Sequence, residues 1–333
     1  MLNNSIDDVF KNALLVDKDT LSKNIRLIIN DVKKSIKDNA DLIIESSVID
    51  NKNKNGFIID YGVINNVFAS VEKENLYYKD VILSQKDDDK KIIYGKEVSD
   101  IGNVVIINDG NFYTILEMAL RNLIAGNNII FVNNGYMMGS VKLLVEIIQV
   151  VLEKFNVSKY MVQIYFTSNY EEVLANYANI DLVICIGNHD LQSMILNKSK
   201  NKTIVSGYEN FDLYIEDLSH IDFIDKILKT NLNINLYVNE KLNLKYDDMV
   251  SVSNINEAIS MINYNSERYS SSIFTKSAKN ASNFVSNVKS KMVMVNTSPT
   301  IERVLDIKQT ELFNEKIIIY PCNNLLEKRK SKN

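Results

Sequence analysis

The chain has 333 residues, 46% of them hydrophobic and 24% charged, with a formal net charge of −4. That length and mixture fit a globular protein with a sizeable core and room for two domains. The negative balance argues against a surface that coats nucleic-acid phosphates, and no stretch reaches the ~18–20 apolar residues of a membrane span. The opening MLNNSIDDVF lacks the basic and apolar regions of an export signal. Two cysteines, Cys185 and Cys322, lie far apart without metal-ligand spacing, which fits a reducing, cytoplasmic setting.

Taken in chain order, Ile25, Ile28, Ile29, Val32, Ile36 and Ile43 follow helical spacing over residues 20–46, with Asp19 or Thr20 placed to cap the start. A polar break at residues 51–56 precedes a second helix in FIIDYGVINNVFASVEKE. DVILSQKDDDKKIIYGKEV then reads as a β-hairpin around an acidic turn. From NVVII onward strand and helix alternate. TILEMALRNLIAG, GSVKLLVEIIQVVLEKFN and NYEEVLANYAN read as helices, the first closed by Gly126. NNIIFV, YMVQIYF, DLVICIG, TIVSG and DLYIED read as strands. Uniformly apolar strands in alternation with helices predict a parallel sheet covered on both faces. After Asp217 a second α/β unit follows. Its strands are NINLYV, MVSVS, SSSIFT and KMVMVNTS, its helices INEAISMINYN and SAKNASNFVSNV. KIIIYP closes the pattern as an edge or interface strand.

The stretch IGNHD at positions 186–190 looks like a fragment of a metal-dependent phosphoesterase site. A binuclear centre needs several His and Asp ligands from separate loops, and His189 and His220 are the only histidines. IGNHD therefore reads as a turn, with Gly187 permitting it and Asn188 and Asp190 in turn or helix-cap roles. No metal site is expected. Neither G-x-x-x-x-G-K-[ST] nor G-x-G-x-x-G occurs, and Ser206 lacks the setting of a nucleophile elbow. Cys185, inside an apolar strand, reads as a small core residue, and Asp87, Asp88 and Asp89 as solvated charges at the hairpin tip.

The order of segments from Gly102 to Asp217 resembles the nucleotide-binding part of the aldehyde dehydrogenase superfamily. The resemblance is best to gamma-glutamyl phosphate reductase, also called glutamate-5-semialdehyde dehydrogenase. It is carried by Glu257, Ala258, Ile259, Ser270, Ile273, Thr275, Ala281, Phe284, Val295 and Asn296, and upstream by AGNNIIF, YANIDLVICIGN and IVSGYENFDLYIED. It implies an α/β fold: a doubly wound, mostly parallel sheet domain over residues 1–217, carrying an oligomerisation hairpin at about 78–98. A reduced second α/β domain would follow over 218–298, then a C-terminal interface segment over 299–333. It also implies NAD(P) as cofactor and assembly into a homo-oligomer such as a dimer; from the charge balance and hydropathy above, no nucleic-acid or membrane partner is expected.

The family's reaction, as the resemblance implies it, runs through a cysteine thiolate that forms a thioester from an acyl phosphate. A nicotinamide hydride then reduces the thioester, while an asparagine and a backbone N–H hold the oxyanion. Here SHIDFIDKILKTNLNINLYVNEKLNLKYDDMVSVSN, where the family carries that cysteine, contains none. Tyr113 stands at the family's positioning asparagine, Val132 replaces a basic residue, and Val205 with Ser206 replaces a Glu-Thr pair. PTIERVLDIKQTELFNE replaces a glycine-rich loop. Losing one oxyanion donor costs about 10²–10³ in rate, and losing a covalent nucleophile generally costs more. The expectation is a non-catalytic homologue acting by binding or assembly, including hetero-association with an active homologue. The alternative is an active NAD(P)-dependent semialdehyde or acyl phosphate oxidoreductase using Cys322. A third reading is a nucleotide sensor, with Asn133, Gly187 and Gly207 as remnants of dinucleotide contacts.

Overall fold

The computed structural model describes residues 5–14, 16, 18–51, 59–73, 81–87, 92–108, 112–135, 137–207, 211–228, 234–246, 248–264, 270–298 and 307–321. Four helices come first: α1 (Ile6–Ala13), α2 (Asp19–Asp38), α3 (Ala40–Asn51) and α4 (Tyr61–Glu72). Helix α1 opens with a reciprocal cap between Ser5 and Asp8 and buries Ile6, Val9, Phe10 and Ala13. The helix expected over residues 20–46 is two helices, because the chain leaves helical geometry at Asn39 (φ −108°, ψ 15°). There the Asn39 amide donates to the Ser35 carbonyl at 2.8 Å, and this local bond competes with helix continuation.

Strands β1 (Val81–Asp87) and β2 (Ile92–Asp100) pair antiparallel as the expected hairpin. Next come β3 (Asn103–Asn108), α5 (Phe112–Ala125), β4 (Asn128–Asn133), α6 (Met138–Lys154), β5 (Val162–Phe166), α7 (Tyr170–Leu174), β6 (Leu182–Ile186), α8 (His189–Lys198) and β7 (Thr203–Ser206). The five strands form a parallel sheet in the order β5-β4-β3-β6-β7. Every residue of β3 and β4 is buried. Beneath that uniform hydrophobicity the period of two survives. Val104, Ile106, Ile129 and Phe131 join the core made with α2, α4, α5 and α6. Val105, Ile107, Ile130, Val132 and Cys185 join the core made with α1, α7 and α8. Each such aliphatic side chain contributes about 1.5–3 kcal/mol on burial, so both faces are held.

The second unit contains β8 (Phe211–Ile215), α9 (Ile221–Leu228), β9 (Ile234–Asn239), β10 (Met249–Val252), α10 (Ile255–Tyr264), β11 (Ser270–Phe274), α11 (Ala278–Asn287) and β12 (Met292–Val295). Its five strands are also parallel, in the order β10-β9-β8-β11-β12. Both sheets therefore share one winding: the first strand is central, the next two add on one side and the last two on the other. The DLYIED strand, read from the sequence as continuing the first sheet, is the central strand of the second. Its apolar pattern specifies a buried strand but not which sheet buries it. Last comes β13 (Phe313–Pro321), which pairs with β2 to complete a three-stranded antiparallel sheet in the order β1-β2-β13.

Asn127 ties the last segment to the first sheet. Its amide nitrogen donates to Asn122 Oδ1 and to the Leu312 carbonyl, both at 2.9 Å, and its oxygen accepts from Ile101 N at 2.8 Å. The buried Arg121–Glu117 ion pair (2.9 Å) lies on α5, and Arg121 Nη1 donates to the Ile307 carbonyl at 3.0 Å. Asn127→Ala removes several buried hydrogen bonds together and is expected to cost about 2–4 kcal/mol. Thermal unfolding and limited proteolysis near residue 312 check this, the segment being cut earlier in the variant.

Two buried tyrosines and one half-buried tyrosine mark the second unit. Burial, followed by the nearby Glu216 charge, pushes the Tyr214 hydroxyl up to about 12. Burial and then Asp212 do the same for Tyr237, again to about 12. Burial, then a 2.8 Å hydrogen bond to Asp225, raises Tyr246 to about 12. Unfolded tyrosine ionises near pH 10, so above that pH the unfolded chain releases protons that the folded chain retains. The contribution of these three hydroxyls to stability is thus constant below about pH 10 and falls progressively toward pH 12. Tyrosinate absorbance and the unfolding midpoint, followed together over that window, should change in step.

Candidate functional site

In a doubly wound sheet, ligands bind beyond the carboxyl ends of the strands, where the order reverses. For the first sheet that point lies between β3 and β6. Register places Phe166, Asn133, Asn108, Ile186 and Ser206 side by side across the sheet, each the last residue of its strand. A dinucleotide at such an edge requires backbone donors, close approach over glycine and room for a pyrophosphate.

The glycines expected at this edge face the protein itself. A Cβ on Gly207 would stand 2.1 Å from the Gly187 carbonyl oxygen and 2.4 Å from Gln192 Nε2. A Cβ on Gly187 would stand 2.7 Å from Leu191 Cδ2. The contact is closed further by Gln192, which donates to the Gly187 carbonyl at 2.7 Å, and by the Gly187 amide, which donates to the Ser206 carbonyl at 3.1 Å. Glycine is needed at 207, where the obstacle is a backbone oxygen, while at 187 the nearest atom is the tip of the Leu191 side chain. Val132 is fully buried in the sheet core. Asn133 is also fully buried. Its Oδ1 accepts from Gly135 N at 2.7 Å, and its Nδ2 has no hydrogen-bond partner.

IGNHD is the β6–α8 turn. Asn188 caps α8, its Oδ1 accepting from Leu191 N at 3.0 Å, and Asp190 lies in the helix's acidic first turn. His189 is exposed, with Nε2 3.3 Å from Ser193 Oγ one turn along. Among the described residues, no group of three or more His, Cys, Asp or Glu could hold a metal ion. Tyr113 turns away from chemistry: its hydroxyl accepts from Asp60 N at 2.6 Å, linking α5 to the start of α4. Cys185 is buried within β6. Asp87 ends β1, while Asp88, Asp89 and Cys322 lie outside the described residues.

The N-terminus of α6 holds a group that the sequence did not announce. Gly139 N and Ser140 N donate to the two oxygens of Asp50 at 3.0 and 2.9 Å, and Ser140 Oγ donates to Asp50 Oδ2 at 2.6 Å. Asp50 comes from the end of α3, 89 residues earlier. No local motif could have pointed to it.

The corresponding edge of the second sheet is also engaged internally. Glu216, after β8, accepts from Thr275 Oγ1 and, at 2.6 Å, from Asn280 Nδ2. Burial pushes Asp217 up, but hydrogen bonds from Ser219 and the Lys276 amide outweigh it and hold the carboxyl below its ordinary range. Asn296, at φ 54°, accepts from Thr275 N at 2.9 Å and donates to the Thr275 carbonyl at 3.0 Å. Two of the residues carrying the family resemblance thus hold each other. No cysteine occurs anywhere between Phe211 and Pro321.

Two parallel sheets with this winding, joined to an antiparallel sheet built from the hairpin and the last strand, make the aldehyde dehydrogenase fold. No protein-family model matches the sequence, and no curated relative does. Solved structures do match. The gamma-glutamyl phosphate reductase of Thermotoga maritima aligns with 97% of this chain and 100% of its own, at 17% identity and a TM-score of 0.61. The Saccharomyces cerevisiae gamma-glutamyl phosphate reductase aligns with 97% and 99%, at 18% identity and a TM-score of 0.54. Betaine aldehyde dehydrogenase from Staphylococcus aureus gives a TM-score of 0.72 at 11% identity, over 97% of this chain and 90% of that one. At these identities the likeness is one of fold.

Gly207→Ala tests the closed edge. Relieving a 2.1 Å contact with a backbone oxygen requires β6 and β7 to shift, at an expected cost of roughly 2–3 kcal/mol. A lowered thermal midpoint is the readout, with Ser206→Ala, whose side chain lies outside that contact, as the comparison.

Proposed function

We propose that this protein is a non-catalytic member of the aldehyde dehydrogenase fold class that acts by binding or assembly. The observation that carries the reading is the absence of a thiol where the chemistry needs one. The chain passes from β8 through α9 to β9 with no cysteine, and the one described cysteine is packed in the first sheet's core. The closed Gly187–Gly207 contact and the apolar Val132 speak in the same direction for NAD(P), since neither offers a pyrophosphate a donor or an approach. A nucleotide sensor is the weaker reading on the same ground.

Assembly has its own support. Among the described residues strand β13 pairs with β2 along one edge only, and Ile317 and Ile319 are 68% and 56% exposed. An open strand edge beside exposed isoleucines favours pairing with another chain. A homo-oligomer, a dimer first, is the proposed form, with a catalytically active homologue as the alternative partner. Neither nucleic acid nor membrane is proposed as a partner. Among the described residues no helix is long and apolar enough to cross a membrane. A cytoplasmic location belongs to the reading through the sparse use of cysteine.

The test is reduction of NADP with glutamate semialdehyde as substrate, run on the wild type and on Cys322→Ser. The expected result is no turnover by either protein above the uncatalysed rate. Turnover lost on Cys322→Ser would establish the alternative, an active NAD(P)-dependent oxidoreductase, and overturn this reading.

A further inference from the structure

Helices α2 and α3 act as one rod. Helical hydrogen bonds bridge the break at Asn39: its N–H donates to the Ser35 carbonyl and its carbonyl accepts from Ile43 N, both at 3.1 Å. Two contacts lay the rod along α6. Lys154, at the end of α6, meets Asp31 at 2.7 Å, and Gly139 N, at its start, donates to Asp50 at 3.0 Å. The rod therefore runs antiparallel to α6 and turns Ile28, Val32, Ile36 and Ile43 into the core.

The opposite side of the rod is ordered as well. On α2, Lys23, Leu27, Asn30, Lys34 and Lys37 are all exposed, at steps of four, three, four and three residues. On α3 the line continues through exposed Asp41, Glu45 and Val48, with Leu42 and Ile49 beside it. Such steps keep side chains on one helix face, the arrangement that packs against another helix. At 1.5 Å per residue the line is about 38 Å long. Leu27, Leu42 and Ile49 are 58%, 54% and 57% exposed, so the line carries apolar surface at both ends as well as charge.

Charge divides along this line. Its α2 half holds Lys23, Lys34 and Lys37, and its α3 half holds Asp41 and Glu45. Among the described residues none of these five makes an ion pair. A uniformly acidic or uniformly basic partner would match only one half. A second copy turned end for end matches both. A two-fold axis beside Lys37 and Asp38 sets Lys34 against Asp41 of the second copy and Lys37 against its Asp38. The same axis sets Leu27 against Val48 and Ile49 of the second copy, and each contact occurs twice.

We propose that the outer stripe of α2 and α3 is an antiparallel, two-fold interface between copies of this chain. It uses no residue of β13 and does not depend on whether the protein turns over any substrate.

The test is sedimentation velocity on the full chain at low ionic strength, with wild type, Lys34→Glu, Asp41→Lys and the double variant Lys34→Glu/Asp41→Lys. Each single reversal brings like charges together twice and should weaken association about tenfold or more. The double reversal restores opposite signs and should recover wild-type association. Single reversals without effect, a double variant no better than the singles, or a wild type that stays monomeric would each overturn the proposal. The last result would leave the stripe to a partner other than this chain. Ile317→Lys separates this contact from the edge of β13. The response to Lys34→Glu should persist in that background, and its disappearance there would overturn the proposal. If a reversal prevents folding, Lys34→Ala and Asp41→Ala decide in its place, each being expected to weaken association and neither to restore it when combined.

Discussion

Parallel strands sealed on both faces can present chemistry only at their ends. In β3 and β4 every side chain is inside and every ladder position is taken up by a neighbouring strand. The residues that decide function in such a sheet are therefore the last residue of each strand, the turn after it and the first turn of the following helix. In this protein those positions are Asn133, Gly187, Ser206 and Gly207 in the first sheet and Glu216, Thr275 and Asn296 in the second. Most of them are engaged by the chain itself.

This self-engagement separates fold from chemistry. Gly207 allows two strand ends to meet at a distance no side chain would permit. Asp50 meets the electrostatic demand of α6, and Asn280 with Thr275 meets that of Glu216. Each interaction lowers the free energy of the folded chain and each also occupies a donor or a space that a cofactor needs. Where no ligand competes for such groups, strand ends can serve the stability of the fold.

Much of the architecture was legible from residues near one another in the chain. The uniform apolar runs NVVII, NIIFV and LVICI specify buried parallel strands, and Asn188 after a strand specifies a helix cap. Four features were not legible. Helices α1 and α9 are periodic but only eight residues long, and α8 is weakly patterned, so tertiary burial does much to establish them. The break at Asn39 rests on one side-chain bond to the preceding turn. Sheet membership of β8 and the Asp50 contact depend on partners tens of residues away, and spacing along a chain carries no record of them.

The three-stranded sheet joins segments far apart in the chain, since β13 pairs with β2 across more than two hundred residues, as in the Lys96–Glu315 contact. During synthesis the β2 edge emerges early and its native neighbour very late. Both parallel sheets can close on the ribosome while that edge still lacks its neighbour. A nascent chain is therefore most exposed to mispairing after its two cores have formed, and a second copy emerging nearby would meet the same open strand.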